Sequence, residues 1–161
     1  MDGDPSREEV NLEYKGQEVV PVPKDKVWAF INDPNKIAAC VPDVISSNIH
    51  DAHNFDAVVG VAVGPVRGKF TFKISLDPQP DGSHMNMKIS GGGFGSVVDL
   101  LATSEVKDNG DSTTTLDWSA TASMRGPVAT VGGRVIDTQA QRVISQTFAN
   151  VKSQLSATAT A

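Results

Sequence analysis

The chain has one cysteine, Cys40, so no internal disulfide can form and a reducing compartment fits. One tyrosine, two tryptophans and six phenylalanines are too few aromatics for a base-stacking platform on nucleic acid. The net charge is −5, and the 14 Lys and Arg residues form no run along the chain. That speaks against nucleic acid and against a polybasic membrane-binding segment. No stretch approaches the ~18 apolar residues of a membrane span. The first residues, Met1–Glu9, are polar and lack the apolar core of a secretory signal. No internal repeat is present. What remains is 161 residues of ordinary globular composition, enough for one domain with its own core. The expected domain covers 10–155, with loose tails at 1–9 and 156–161, in an intracellular protein that is at most peripheral to a membrane.

The pattern within that domain is mostly period two. Val66, Gly68, Phe70, Phe72, Ile74 and Leu76 alternate with Arg67, Lys69, Thr71, Lys73 and Ser75, which predicts a strand with one dry and one wet face. Val10–Val20, Val44–Ile49, Phe55–Val63, Met85–Ile89, Val98–Val106 and Leu116–Ala122 read as six more strands. Between the first two, Lys24–Asn32 and Asn35–Cys40 read as short helices bounded by Pro23, Asp33-Pro34 and Pro42. After Pro127 the period changes to 3.6. A stripe of Ala129, Gly133, Ile136, Ala140, Val143, Thr147, Val151 and Leu155, widened by Val128, Val131, Val135, Ile144 and Phe148, predicts one helix from Pro127 to Gln154. At about 1.5 Å per residue it is roughly 40 Å long and needs a long apolar partner, which the sheet supplies. The fold class is α+β: an antiparallel sheet of seven strands with a long C-terminal helix across its dry face.

Antiparallel strands put successive links at alternate ends. Counting places the two short helices, Gly64-Pro65, Gly91–Gly95 and Met124–Pro127 at one end. It places Asp51–Asn54, Asp77–Gly82 and Lys107–Asp111 at the other. The Asp-bearing links suit water. The glycine-bearing end, with Phe94 and Met124, is the expected entrance of any cavity and the expected contact with a membrane or partner. The plainer alternative is that glycine only permits tight turns there.

Groups for catalysis are scarce. On strands three to seven no Asp, Glu, His or Lys shares the inward parity, and Tyr14 and Ser104 are the main inward polar groups. His50 and His53 lack the further ligands a zinc site needs. Gly91–Gly95 joins strand to strand, whereas a phosphate loop opens a helix. Cys40 sits in an apolar run and reads as a buried, inert thiol. Arg134 and Asp137, at i and i+3, are spaced to pair on the helix surface. By contrast, Phe70, Phe72, Met85, Met87 and Trp118 form an apolar wall among small inward residues such as Gly16, Ala102, Ala120 and Ala140. Such a wall either packs solid or leaves a void for an apolar guest.

Several stretches resemble one family. They are Val22-Pro23-Lys24-Asp25-Lys26-Val27-Trp28-Ala29-Phe30-Ile31-Asn32-Asp33-Pro34, Ala38-Ala39-Cys40-Val41-Pro42, Val63-Gly64-Pro65-Val66-Arg67-Gly68-Lys69-Phe70 and Gly133-Arg134-Val135-Ile136-Asp137. The element order is similar to the START-like, SRPBCC helix-grip fold, and these stretches are similar to the family of the carbon monoxide dehydrogenase CoxG subunit. The resemblance implies a cytoplasmic, non-enzymatic protein, peripheral at the inner face of the cell membrane. It would carry an isoprenoid quinone or other lipid under the helix, with no covalently bound cofactor and no metal. It would work beside a molybdenum hydroxylase-type carbon monoxide dehydrogenase. The expected ligand-binding residues are Tyr14, Phe30, Ile37, Val59, Val61, Phe70, Phe72, Met85, Met87, Val98, Leu100, Trp118, Val131, Val135 and Phe148. Two other readings stay open: a cyclase/aromatase-like or hydrolase-like enzyme using Tyr14, and a ligand-free protein-interaction module.

Overall fold

A computed structural model describes residues 9–63, 66–93 and 95–160. The chain runs β1 (Glu9–Val20), α1 (Lys24–Ile31), α2 (Pro34–Cys40), β2 (Val44–Ile49), β3 (Asn54–Val63), β4 (Val66–Pro78), β5 (His84–Gly93), β6 (Ser96–Asp108), β7 (Thr114–Arg125), α3 (Pro127–Thr130) and α4 (Gly133–Thr160). All seven strands form one antiparallel sheet in the order β1-β7-β6-β5-β4-β3-β2. The period-two strand at 66–76 is β4, and its buried side chains Phe70, Ile74 and Leu76 are among those assigned inward. Val63 pairs with Val66 across the link Gly64-Pro65, which itself lies outside the described residues. The glycines at 91–93 belong to β5 and are paired with β6, so the connecting turn is shorter than expected.

The connection count needs one correction. β1 pairs with β7, with Val20 opposite Thr114 and Glu9 opposite Arg125. It therefore lies at the opposite edge from β2 and runs in the same direction. Consequently α1 starts at the Asp-bearing end, not the glycine-bearing end: the Thr114 hydroxyl donates to the Val22 carbonyl at 2.7 Å, and the Lys24 ammonium donates to the Ser83 hydroxyl at 2.6 Å. The other assignments stand. β7 finishes, and β5 turns into β6, at the end where β1 begins. The helix boundaries have local causes. Pro34 opens α2, and the Asp33 carboxylate accepts from the Asn35 backbone N–H at 3.0 Å, a side-chain cap on a free donor.

The single helix expected from Pro127 to Gln154 is two helices. Gly132 has φ +96, a left-handed value that a side chain disfavours, and it separates α3 from α4. The α4 helix continues to Thr160, past the expected end at Gln154. The expected stripe is kept across the break: Ala129, Ile136, Val151 and Leu155 are buried. Val135 is 43% exposed, because at about 100° per residue it lies to the side of Ile136 and about 180° from Ile144.

Candidate functional site

The inner surface is set by how α4 sits on the sheet. Its backbone approaches β1 on one side and β3 on the other, and it also packs on α1 and α2. The strands between them, β7, β6, β5 and β4, form the middle of the sheet. Side-chain links fix this position. The Tyr14 hydroxyl on β1 donates to Asp137 Oδ1 at 2.6 Å, and Lys152 pairs with Glu18 at 2.7 Å. On the other flank Arg142 pairs with Asp43 at 2.7 Å, and the Asn150 amide donates to the Cys40 carbonyl at 2.8 Å.

Burial along the inner surface is uneven. One buried cluster occupies the Asp-bearing end, where α1, α2 and the second half of α4 close over the sheet with Phe30, Phe55, Leu76, Val106, Leu116, Val151 and Leu155. A second, smaller one gathers Phe70, Val98 and Val128 at the glycine-bearing end, with Val61 and Met124 packed against it. Phe72 touches both. Toward the middle of the sheet the inward side chains Val59, Phe72, Met87, Ile89, Leu100 and Trp118 are only half-buried.

The expected ligand-binding residues divide accordingly. Phe30, Phe70, Met85 and Val98 are buried. Tyr14, Ile37, Val59, Val61, Phe72, Met87, Leu100, Trp118, Val131 and Phe148 are half-buried. Val135 points to solvent and leaves the inner set, because it lies to the side of the buried Ile136 on α4. Met124 is half-buried against the Phe70 cluster, and Phe94 lies outside the described residues. Two aromatic pairs form: Phe70 with Phe72, centroids 6.1 Å apart, and Trp118 with Phe148, 5.3 Å apart across the sheet–helix interface. Trp118 lies over Gly16, where a Cβ would come within 3.1 Å of its ring. Its indole N–H is buried and has no acceptor among the described residues.

The polar group that the sequence did not disclose is Asp137. Spacing suggested Arg134 as its partner. Instead Asp137 Oδ1 accepts from Tyr14, and Oδ2 accepts from the Gln141 side chain at 2.9 Å. The pair is 123 residues apart in sequence, so no local signal could have found it. Burial first, and then the hydrogen bond to the Asp137 carboxylate and its charge, push the Tyr14 phenol up to about 12. A phenol so held is neutral at physiological pH and is a weak proton donor.

Other candidate chemistry stays apart. Cys40 is buried, which pushes its thiol up and makes it unreactive. His50 contacts Asp56 at 2.8 Å in an exposed turn. Among the described residues no three His, Cys, Asp or Glu side chains come together to hold a metal ion. An open depression of about 360 Å³ between α2 and β2, lined by Asn35, Ala38, Asp43, Ile45 and Ser47 among others, includes none of the expected ligand residues. No helix among the described residues is long and apolar enough to cross a membrane.

The geometry matches known proteins at the level of the fold. A conserved protein from Geobacillus kaustophilus superposes with a TM-score of 0.80 at 21% identity, over 90% of this chain and 95% of that one. A START superfamily protein from Mycobacterium smegmatis gives 0.69 at 9% identity, over 89% and 97%. The Zhui aromatase/cyclase from Streptomyces sp. R1128 gives 0.67 at 13% identity, over 91% and 94%. The fold is therefore START-like, and it is shared by proteins that are enzymes and proteins not described as such. No curated protein matches the sequence. The family model of the carbon monoxide dehydrogenase CoxG subunit matches residues 16–156, nearly the whole chain, and the chain belongs to that family.

Proposed function

We propose that this CoxG-family chain is a non-enzymatic carrier of an apolar ligand, an isoprenoid quinone or another lipid, held between the sheet and α4. It would serve a carbon monoxide dehydrogenase-type oxidoreductase at the membrane. Family membership supports the accessory role, since the family takes its name from a subunit of that enzyme. The observation that carries the ligand reading is the uneven burial. A helix seated on β1 and β3 should bury everything beneath it if the layers interlocked, because protein interiors pack as densely as organic crystals. Here Phe72, Met87 and Leu100 face inward and are not fully buried. Apolar surface of that kind, lined by Met and aromatic side chains, suits a flexible prenylated or acyl guest.

The test is mass spectrometry of an organic extract of the purified protein. A stoichiometric quinone or lipid supports the reading. A clean extract, together with no uptake of added quinone, overturns it.

One observation favours a second reading, an enzyme of the same fold. Tyr14 and Asp137 form a polar pair at the inner surface, and an aromatase/cyclase shares the architecture. A phenol pushed up to about 12 is poorly matched to proton transfer near neutral pH, which places this reading second. If Tyr14→Phe abolished turnover of an aromatic polyketide while leaving ligand uptake intact, the order of the two readings would reverse.

A further inference from the structure

The register of the sheet marks a trough beneath α4. Across β1, β7, β6 and β5 one inward row runs Tyr14, Ala120, Ala102 and Met87, each opposite the next. Larger side chains flank the two alanines: Trp118 and Met85 in the row on one side, Leu100 and Ile89 in the row on the other. Tyr14 and Met87 stand three strand spacings apart, roughly 14 Å, which leaves room for a six-membered ring above the alanines. The floor is not covered, since Ala102 and Ala120 are only half-buried. Overhead, Ala140 and Ile144 continue the stripe of Ile136 and Val151 yet are also only half-buried.

The Tyr14 end of this trough is made of hydrogen-bond acceptors. The Tyr14 hydroxyl gives its one proton to Asp137 Oδ1 at 2.6 Å, so only its oxygen lone pairs remain for a guest. Asp137 Oδ2 accepts from the Gln141 side chain at 2.9 Å. A carboxylate has about four acceptor sites, so both oxygens can take a further donor. The nearest donor, the Trp118 indole N–H, is buried against Gly16 and offers no surface to a guest. The Ser104 hydroxyl, opposite Trp118, can give or take and does not discriminate. Away from Tyr14 the inward side chains of β3, β4 and β5 are all apolar.

We propose that the Tyr14–Asp137 end of the trough recognises a ring hydroxyl, so that this chain holds a quinol, the reduced form, more tightly than the quinone. A quinol hydroxyl can donate to the Asp137 carboxylate or to the Tyr14 oxygen, whereas a quinone carbonyl has no proton to give and sets its lone pairs against theirs. The carboxylate likewise repels an acyl anion. The isoprenoid tail then runs past Met87 toward Phe72 and Val59, over apolar side chains. Selection of this kind rests on the carrier reading and adds the redox state of the cargo.

The experiment is anaerobic isothermal titration calorimetry of the full chain, freed of extractable lipid, with decylubiquinol and with decylubiquinone. The quinol should bind about tenfold tighter, the low end for a hydrogen bond to a charged group. Oleate should not displace it. Asp137→Asn replaces an acceptor by an amide that can donate, and should bring the affinity ratio to about one or below. Tyr14→Phe keeps the carboxylate and should keep the preference. Asp43→Asn, which alters the exposed pair with Arg142 on the other flank, should leave the ratio unchanged. Far-UV circular dichroism and continued binding of decylubiquinone show that Asp137→Asn is folded with its site intact. Equal affinity for the two forms, tighter binding of the quinone, displacement by oleate, or a preference that survives Asp137→Asn overturns the selection and leaves carriage standing. Binding of neither form overturns both.

Discussion

Tyr14 is the only tyrosine in the chain, so the ultraviolet change on phenolate formation reports one residue. In the folded protein that titration should have its midpoint near 12, raised from 10.0. Burial is the largest cause, followed by the hydrogen bond to Asp137 and the carboxylate charge. Asp137→Asn removes the charge and leaves the burial, so its midpoint should fall but stay above 10.0. The raised value has a stability consequence. Because the folded chain holds the proton more tightly than the unfolded one, the contribution is complete below pH 10.0 and is lost as pH rises through about 12. A shift of two pH units corresponds to about 2.7 kcal/mol between the two protonation states. Tyr14 is only half-buried, and solvent screening leaves about 1 kcal/mol of that. At neutral pH Tyr14→Phe removes a hydrogen bond to a carboxylate and should cost about 1–2 kcal/mol. In a chain of this size that is a Tm lower by about 2–8 °C. The difference between wild type and Tyr14→Phe should shrink as pH rises from 10.0 toward 12. A wild-type midpoint near 10, or a stability difference that does not change with pH, would refute the clamp between β1 and α4.

The remaining predictions test other parts of the fold. Leu155→Ala should cost about 2–5 kcal/mol in chemical denaturation, because Leu155 is 1% exposed, while Val135→Ala should change stability by less than about 0.5 kcal/mol. Gly132→Ala should cost about 1–2 kcal/mol through its φ of +96, and a neutral result would mean that α3 and α4 are one continuous helix. Cys40 should resist a thiol reagent in the native state and react at once in denaturant; rapid native labelling would contradict its burial. With Trp28→Phe leaving Trp118 as the sole tryptophan, a bound quinone should quench its fluorescence. Unchanged emission at saturating quinone would remove Trp118 from the ligand surface.

What could be read from the sequence was what local periodicity controls. The alternation at 66–76 is β4, and the proline-bounded segments are α1 and α2. The stripe from Ile136 to Leu155 is the buried face of α4. Periodicity does not control a break inside a helix or a topology that is not local. Gly132-Gly133 is visible as a pair, but only the φ of +96 at Gly132 turns a tolerated glycine into a break between α3 and α4. Val135 sits one residue from Ile136, off the buried stripe, which its apolar character hides. Placing α1 at the wrong end came from pairing β1 with its neighbour in sequence. Nothing local to Val10–Val20 says that its partner is β7, over 90 residues away.

The same topology explains why the polar and charged features escaped a reading of the sequence. Tyr14 was singled out for its inward parity, and Asp137 for its distance from Arg134 along one helix. Their hydrogen bond exists because β1 closes the sheet beside β7 and α4 then passes over β1. Likewise no run of basic residues occurs, and judged by runs the chain has no basic surface. The antiparallel order brings the start of β4 and the end of β7 to one rim, and the link through α3 starts α4 there, so Arg67, Lys69, Arg125 and Arg134 collect at that rim. Electrostatic character belongs to the arrangement of strand ends more than to composition. A net charge of −5 is therefore compatible with cations gathered locally by the fold, beside the carboxylates of Glu9, Asp43 and Asp99.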